Sequence, residues 1–296
     1  MRIAILGPTA SGKSSLAVEV ARHLGATVVN GDPYQAIQGF AIGTGQPDVA
    51  EQGGVPHVGY GVLPPSMRPN PADFGARVRG WMADLDRAVL VTGSGLYLRG
   101  IWDQLTELPE VPEALVARIR AWGSGVPARV LHRYLAAVDP GRAAALHPND
   151  GSRIQRALAL HLATGQRPSD LLTGIQKGVP EGWKALVVMP DRESLRRRVA
   201  LRVAAMVKAG WREEVAALLA AGHGEDVAAL RPLGYPEWAA CERDGDAPAV
   251  QAGIVTATQA YARRQGTFFL NQWPGMATWD PDAESVDTAM VRLGLS

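Results

Sequence analysis

Cysteine is nearly absent from this chain of 296 residues: Cys241 is the single one, which excludes an internal disulfide and a cysteine-built zinc cage. Such usage is expected of a protein working in the reducing cytoplasm, with Cys241 an inert buried thiol. Lysine is scarce too, at positions 13, 177, 184 and 208 only, against 26 arginines. No apolar run approaches the ~18 residues that a membrane span needs. The opening stretch Met1-Arg2-Ile3-Ala4-Ile5-Leu6 runs into Gly7-Pro8 too soon for a secretory signal, so no membrane partner is expected. What the chain does have, 47% hydrophobic residues with 20% charged, excludes a disordered or collagen-like chain and provides for a sizeable core.

The net charge of +1 conceals an uneven distribution. Residues 1–110 carry 8 basic and 10 acidic side chains, 111–221 carry 17 and 9, and 222–296 carry 5 and 10. A basic middle between acidic flanks is what a phosphate backbone is attracted to, although arginine-rich solvated helices give the same balance.

Periodicity divides the chain. Arg2 to Leu6 reads as a buried strand, and Ser14 to Leu24 as a helix whose Leu16, Val20 and Leu24 recur four apart before the stop at Gly25. Ala26 to Asn30 and Ala88 to Thr92 are further strands, ending in Gly31-Asp32 and Gly93-Ser94-Gly95. Strands alternating with helices predict an α/β body around a parallel sheet, with a ligand beyond the strands' carboxyl ends. From 111 to 180 strand signals cease, and Val130 to Val138 and Ser152 to Thr164 predict a helical insertion. The body is then 1–110 with 181–296, resumed by a strand at Ala185 to Met189 and helices at Asp191 to Ala209 and Arg212 to Ala221.

The strongest local signal is Gly7-Pro8-Thr9-Ala10-Ser11-Gly12-Lys13-Ser14, which fits the phosphate-loop pattern between a strand and a helix. Glycines let successive backbone N–H groups turn inward onto phosphate oxygens, and the helix N-terminus adds partial positive charge. The lysine pairs with the outer phosphate and the serine hydroxyl reaches a magnesium ion. Lys13 is the sole lysine in the first 176 residues, at the one position where such a loop demands it. The fold expected is therefore a P-loop NTPase-like core with the helical insertion. No Asn-Lys-x-Asp signature occurs, which speaks against a GTPase; an ATP-dependent small-molecule kinase remains open.

Further motifs sit at the strand ends and beyond: Gly31-Asp32-Pro33-Tyr34-Gln35, Ile42-Gly43-Thr44-Gly45-Gln46-Pro47 and Val91-Thr92-Gly93-Ser94-Gly95-Leu96-Tyr97. They continue through His147-Pro148-Asn149-Asp150, Arg153-Ile154, Arg156-Ala157-Leu158, Arg231-Pro232-Leu233-Gly234-Tyr235 and Ala262-Arg263-Arg264-Gln265. In order and spacing, from Ile3 to about Gln272, the series resembles the tRNA dimethylallyltransferases, also called tRNA isopentenyltransferases.

That resemblance implies transfer of a dimethylallyl group from dimethylallyl diphosphate to the exocyclic N6 amine of the tRNA adenosine 3′-adjacent to the anticodon. Gly7, Thr9, Ala10, Ser11, Gly12, Lys13 and Ser14 would hold the diphosphate, with Mg2+ at Ser14 and help from Arg231. Asp32 would be the general base toward the amine. Ser94, where the family has threonine, would contact the oxygen bridging the leaving group. Pro33, Tyr34 and Gln35 would line the base pocket. Asp150, Arg153 and Arg156 of the insertion would grip the anticodon stem-loop, with Arg263, Arg264 and Gln265 as further tRNA contacts. A cytoplasmic monomer is expected.

The residues alone leave rival readings. Asp32 could serve magnesium through water, Ser94 could cap the helix after Gly95, and Arg153 with Arg156 could form a solvated face or internal ion pairs. A nonenzymatic RNA-binding module would also account for the basic middle. Trp81, Trp122, Trp183, Trp211 and Trp238 read as core or interface, and His57 as packing. The sequence departs from the family at Pro33, Tyr34 and Ser94, at Val58 for a histidine, and at Gln46, Val116, Pro236 and Gln259, where basic residues are usual.

Overall fold

The computed structural model describes residues 1–106, 108–172 and 178–295, and for 242–244 the backbone alone. It divides into two compact units, Met1–Asp103 with Lys177–Ser296, and Gln104–Gln176. The sequence marks the helical stretch at 111 and 180 because helical periodicity begins with the first helix, not with the segment leading to it.

In the first unit six strands form a parallel sheet: β1 (Arg2–Leu6), β2 (Thr27–Asn30), β3 (His57–Val58), β4 (Ala88–Thr92), β5 (Trp183–Val188) and β6 (Thr278–Trp279). Their order is β3-β2-β4-β1-β5-β6. Both faces are covered, and β1 shows why its sequence is apolar throughout. Ile3 and Ile5 enter one core with Leu16, Val20, Val89 and Val91; Ala4 and Leu6 enter the other with Val29, Leu90, Val187 and Phe40. Each large aliphatic side chain so buried contributes about 1.5–3 kcal/mol. An alternating polar strand could not satisfy two apolar faces.

The register sets up the site. Leu6 lies beside Thr92, and Asn30 beside Val91. The segments leaving β1, β4 and β2, at Gly7, Gly93 and Gly31, therefore emerge side by side at one edge of the sheet. Helix Lys13–Leu24 follows β1 directly, burying Leu16, Ala17, Val20 and Ala21 against the sheet and ending at left-handed Gly25. Two helices from late in the chain, Arg192–Lys208 and Ala247–Gln272, pack on each other.

The second unit is helical among its described residues: Glu113–Ser124, Ala128–Val138, Pro140–Ala144, Gly151–Thr164 and Pro168–Leu171. It has its own core of Leu131, Leu135, Ala143, Leu146, Ile154 and Leu158. Buried Asp139 ties its parts together, accepting from the backbone N–H groups of Arg142 and Ser169. Among the described residues of the chain, no helix is long and apolar enough to cross a membrane.

Candidate active site

The loop after β1 is shaped by close approach. Gly7 has φ 144°, and a Cβ there would meet the Val188 carbonyl oxygen at 2.4 Å. Ala10, a non-glycine residue, is held left-handed at φ 61°. Such a conformation persists only where surrounding structure over-determines it. Part of that structure is Gln265, whose Oε1 accepts from Thr9 N–H at 2.9 Å while its Nε2 donates to the Gly93 carbonyl at 2.9 Å. The amide thus fastens the β1 loop to the β4 loop. Gln265 is 7% exposed, and both ends of its amide are engaged within the protein.

Asp32 is aimed by its neighbours. Its backbone N–H donates to Asn30 Oδ1 at 2.8 Å, and Asn30 Nδ2 donates to the carbonyls of Asp32 and Gly59. Its carboxylate accepts from Tyr34 N–H on one oxygen and from Ser94 Oγ on the other, both at 3.0 Å. Ser94 is in turn oriented by Thr92, whose Oγ1 accepts from Ser94 N–H at 3.0 Å and donates to the Gly31 carbonyl at 2.7 Å. Ser94 stands at the N-cap position of helix Gly95–Ile101 and makes no side-chain cap bond, so its hydroxyl serves Asp32 instead.

Asp32, Tyr34, Thr92 and Ser94 line a cavity of about 530 Å³, with Thr9, Lys13, Ser14, Arg231 and Gln265 among its polar walls. Leu96, Val203, Met206, Leu233 and Phe268 supply apolar ones. Burial raises the Asp32 carboxyl above its ordinary range, against the opposing pull of Ser94, Tyr34 and Lys13. Burial and the charge of Arg202 bring the Lys13 ammonium down to about 8, with Asp32 opposing. Burial raises the phenols of Tyr34 and Tyr261, and that of Tyr97 to about 12, so all three are neutral donors at physiological pH.

The other expected residues fall in several places. Gln35 lines the cavity, and its amide donates to the carbonyls of Thr44 and Gly45 at 2.9 and 2.8 Å, fixing the neighbouring loop. Gln46, where the family usually has a cation, performs a similar task with Nε2 on the Ile37 carbonyl at 3.0 Å. Pro33 is buried at the start of the turn. Arg264 reaches the cavity and Arg263 is exposed. In the helical unit, Asp150 caps Gly151–Thr164 and pairs with Arg153 at 2.5 Å, which is the internal ion pair of the rival reading. Arg156 is exposed and has no ion-pair partner among the described residues.

Residues outside the sequence motifs complete the walls. Tyr261 faces Asp32, Ser94 and Gln265, and Arg202 lies near Lys13. Trp211, expected in the core, is 1% exposed and also forms part of the cavity wall. Among the described residues no group of three or more His, Cys, Asp or Glu side chains could hold a metal by itself. A hard cation bound here would need oxygen donors from its ligand.

A six-stranded parallel sheet, a glycine-turned loop and a lysine at the head of the next helix define a P-loop NTPase-like α/β protein. Within that class, the family model described as IPP transferase matches residues 35–272, and one described as Isopentenyl transferase matches residues 1–58. The chain belongs to the IPP transferase family. The tRNA dimethylallyltransferase of Rhodospirillum centenum is 39% identical over 284 residues, covering 93% of this chain and 90% of that protein. That of Rhizobium meliloti is 36% identical, covering 95% and 96%. The solved full-length tRNA isopentenylpyrophosphate transferase of Bacillus halodurans superposes with TM-score 0.68 at 27% identity, covering 99% of this chain and 96% of that one. A eukaryotic dimethylallyltransferase acting on tRNA shares the fold, with TM-score 0.79 at 22% identity and coverage of 98% and 77%.

Proposed function

We propose that this chain transfers a dimethylallyl group from dimethylallyl diphosphate to the N6 amine of the adenosine 3′-adjacent to the anticodon of tRNA, releasing diphosphate. The observation that carries the reading is the pairing of Asp32 with Ser94 in the same cavity as Lys13 and the β1 loop, in a chain whose relatives are tRNA dimethylallyltransferases.

In the reaction the amine nitrogen forms a bond to the allylic carbon, the carbon–oxygen bond breaks, and its electron pair leaves with the diphosphate. The developing negative charge is met by Lys13, Arg231 and the N–H groups of the loop from Gly7 to Ser14, fixed donors that need no reorganisation. The nitrogen must lose a proton, and Asp32 is the carboxylate lining the cavity. Burial, which raises its pKa, makes it a stronger base. Ser94 has one hydroxyl proton. Turning it from Asp32 to the bridging oxygen would stabilise the leaving group and release the carboxylate to accept the amine proton in the same motion.

Magnesium fits this donor set: the Ser14 hydroxyl lines the cavity, and Mg2+ characteristically takes few protein ligands while sharing substrate phosphates. When bound it would offset diphosphate charge. An adenosine stacked in an anticodon loop cannot reach such a cavity and must be turned out of the stack. Contacts to the stem-loop would come from the helical unit, with exposed Arg156 the better placed of its arginine pair because Arg153 is engaged by Asp150. The protein would act as a cytoplasmic monomer.

The test is incubation with radiolabelled dimethylallyl diphosphate and unmodified tRNA, with ATP in parallel. Label entering tRNA without ATP is expected; ATP turnover with a small acceptor and no labelled tRNA contradicts the assignment.

A further inference from the structure

Helix Trp211–Ala220 opens with two adjacent glutamates that look alike in sequence, Glu213 and Glu214, each an acidic residue in a first turn where it suits the helix's positive end. The structure separates them. Glu213 is exposed, whereas the half-buried Glu214 reaches out of its helix to a loop far earlier in the chain. Its Oε2 accepts from the backbone N–H groups of Ala41 and Ile42, both at 2.8 Å, and its Oε1 accepts from that of Gly43 at 3.3 Å and from the Tyr235 hydroxyl at 2.6 Å. Successive N–H groups turned inward make a seat for an anion, and a charged acceptor strengthens each bond.

The other edge of the loop is held as well. The carbonyls of Thr44 and Gly45 accept the Gln35 amide at 2.9 and 2.8 Å, so the segment from Ala41 to Gly45 is fastened through N–H groups at one end and carbonyls at the other. Packing leaves it little room to shift. Trp211, on the same helix as Glu214, is wedged between Gly43 and Gly234, where a Cβ would stand 1.9 and 2.2 Å from its indole. The fully buried Tyr235 ring lies 4.9 Å from that of Phe40 and 5.8 Å from that of Trp211.

Gly43, Thr44 and Gln35 line the cavity that contains Asp32, and Glu214 is not among the residues lining it. Gln35 belongs to the turn in which Tyr34 N–H bonds the Asp32 carboxylate, so whatever fixes the Gln35 side chain fixes the wall beside the base. We propose that Glu214 is a positioning residue for the acceptor: it holds the loop from Ala41 to Gly45, and through it the Gln35 amide, as the wall that sets the adenosine amine toward Asp32. The proposal rests on the transferase reading above and adds a residue outside every sequence motif. The loop that carries Lys13 is fastened separately, by Gln265 on Thr9 and Gly93. Loss of Glu214 therefore acts on the acceptor side and spares diphosphate binding.

The experiment compares full-length wild type with Glu214→Asp, Glu214→Ala and Glu214→Gln. It measures the single-turnover rate at saturating tRNA and radiolabelled dimethylallyl diphosphate, and the binding of inorganic diphosphate by titration calorimetry, whose stoichiometry counts intact sites. Aspartate keeps the charge at the helix end but is one methylene too short to reach the loop and Tyr235 together. It and alanine should each lower the rate per intact site about 100-fold, the order that misplacing a reacting group by ~1 Å costs. The diphosphate Kd should be unchanged. Glutamine keeps an oxygen for the Ala41 and Ile42 N–H groups and should recover most of the rate. Should the alanine variant fail to fold, the aspartate variant carries the comparison.

A wild-type rate per intact site in the aspartate variant overturns the role, because charge at the helix end would then suffice. A rate loss matched by an equal loss of diphosphate affinity overturns it too, since the whole cavity would have given way. So does a glutamine variant no faster than the alanine one. No label entering tRNA with the wild type overturns the transferase reading itself, and this role with it.

Discussion

The Ser94 hydroxyl donates to the Asp32 carboxylate across 3.0 Å, joining the segment after β4 to the segment after β2. This bond pulls the carboxyl's pKa down while burial drives it up. Ser94→Ala removes the downward pull, so Asp32 should hold its proton to higher pH. The acid limb of the pH–rate profile should move upward, with a fall in rate of roughly 10–100-fold from losing a positioned donor. Ser94→Thr should restore both. An unmoved acid limb in the alanine variant would separate Ser94 from the base.

Lys13 must be an ammonium to hold diphosphate, and in the free protein it loses its proton as pH rises through about 8. Affinity for dimethylallyl diphosphate should therefore be full below pH 7 and decline above 8, a limb that Lys13→Arg removes. Lys13→Ala should cost about 2–4 kcal/mol in the transition state. Its tRNA binding should be intact. The checks are the pH dependence of Kd and turnover of the alanine variant.

Gln265 buries an amide with both ends occupied, on Thr9 N–H and the Gly93 carbonyl. Gln265→Leu fills similar space and strands both backbone groups, at about 1–3 kcal/mol for each unsatisfied group. Thermal unfolding should occur several degrees lower, and diphosphate affinity should weaken because the loop loses its fastening. Gln265→Leu with wild-type Tm and Kd would contradict that role.

These residues also show how far the sequence could be read. Arg2–Leu6 and the loop to Ser14 are legible because a short apolar run and a glycine pattern are local signals. The motif from Ala262 to Gln265 points to a function but not to a direction. Only the packing of helix Ala247–Gln272 shows that Gln265 faces inward and Arg263 outward. Strands β3 and β6 have two residues each, too few for any period to register. Helix Pro71–Met82 has a local start signal in Asn70, which caps Ala72 and Asp73, but its apolar face is sparse. Arg202 is one arginine among five on its helix, and nothing short of tertiary structure distinguishes it from the solvated ones.

Stability should respond to Asp32 in the opposite sense to activity. Its pKa is raised in the folded protein, so the protonated form is the one folding favours. That contribution is present below the unfolded carboxyl's pKa and is lost as pH rises through the folded one. At neutral pH the ionised side chain therefore opposes folding. Asp32→Asn should raise Tm by a few degrees at pH 7 and by less near pH 4, measured by calorimetry. A lower Tm at pH 7 would show that its hydrogen bonds outweigh burial.

The most direct measurement of the account is the single-turnover rate of Asp32→Asn at saturating tRNA and dimethylallyl diphosphate, across a magnesium series. Asparagine keeps the shape and cannot take the amine proton, so the rate should fall by about 10²–10⁴. The loss should be the same at every magnesium concentration, with both substrates still bound. Recovery of the rate as magnesium is raised would contradict the account, because it would make Asp32 a metal ligand and leave the proton without an acceptor.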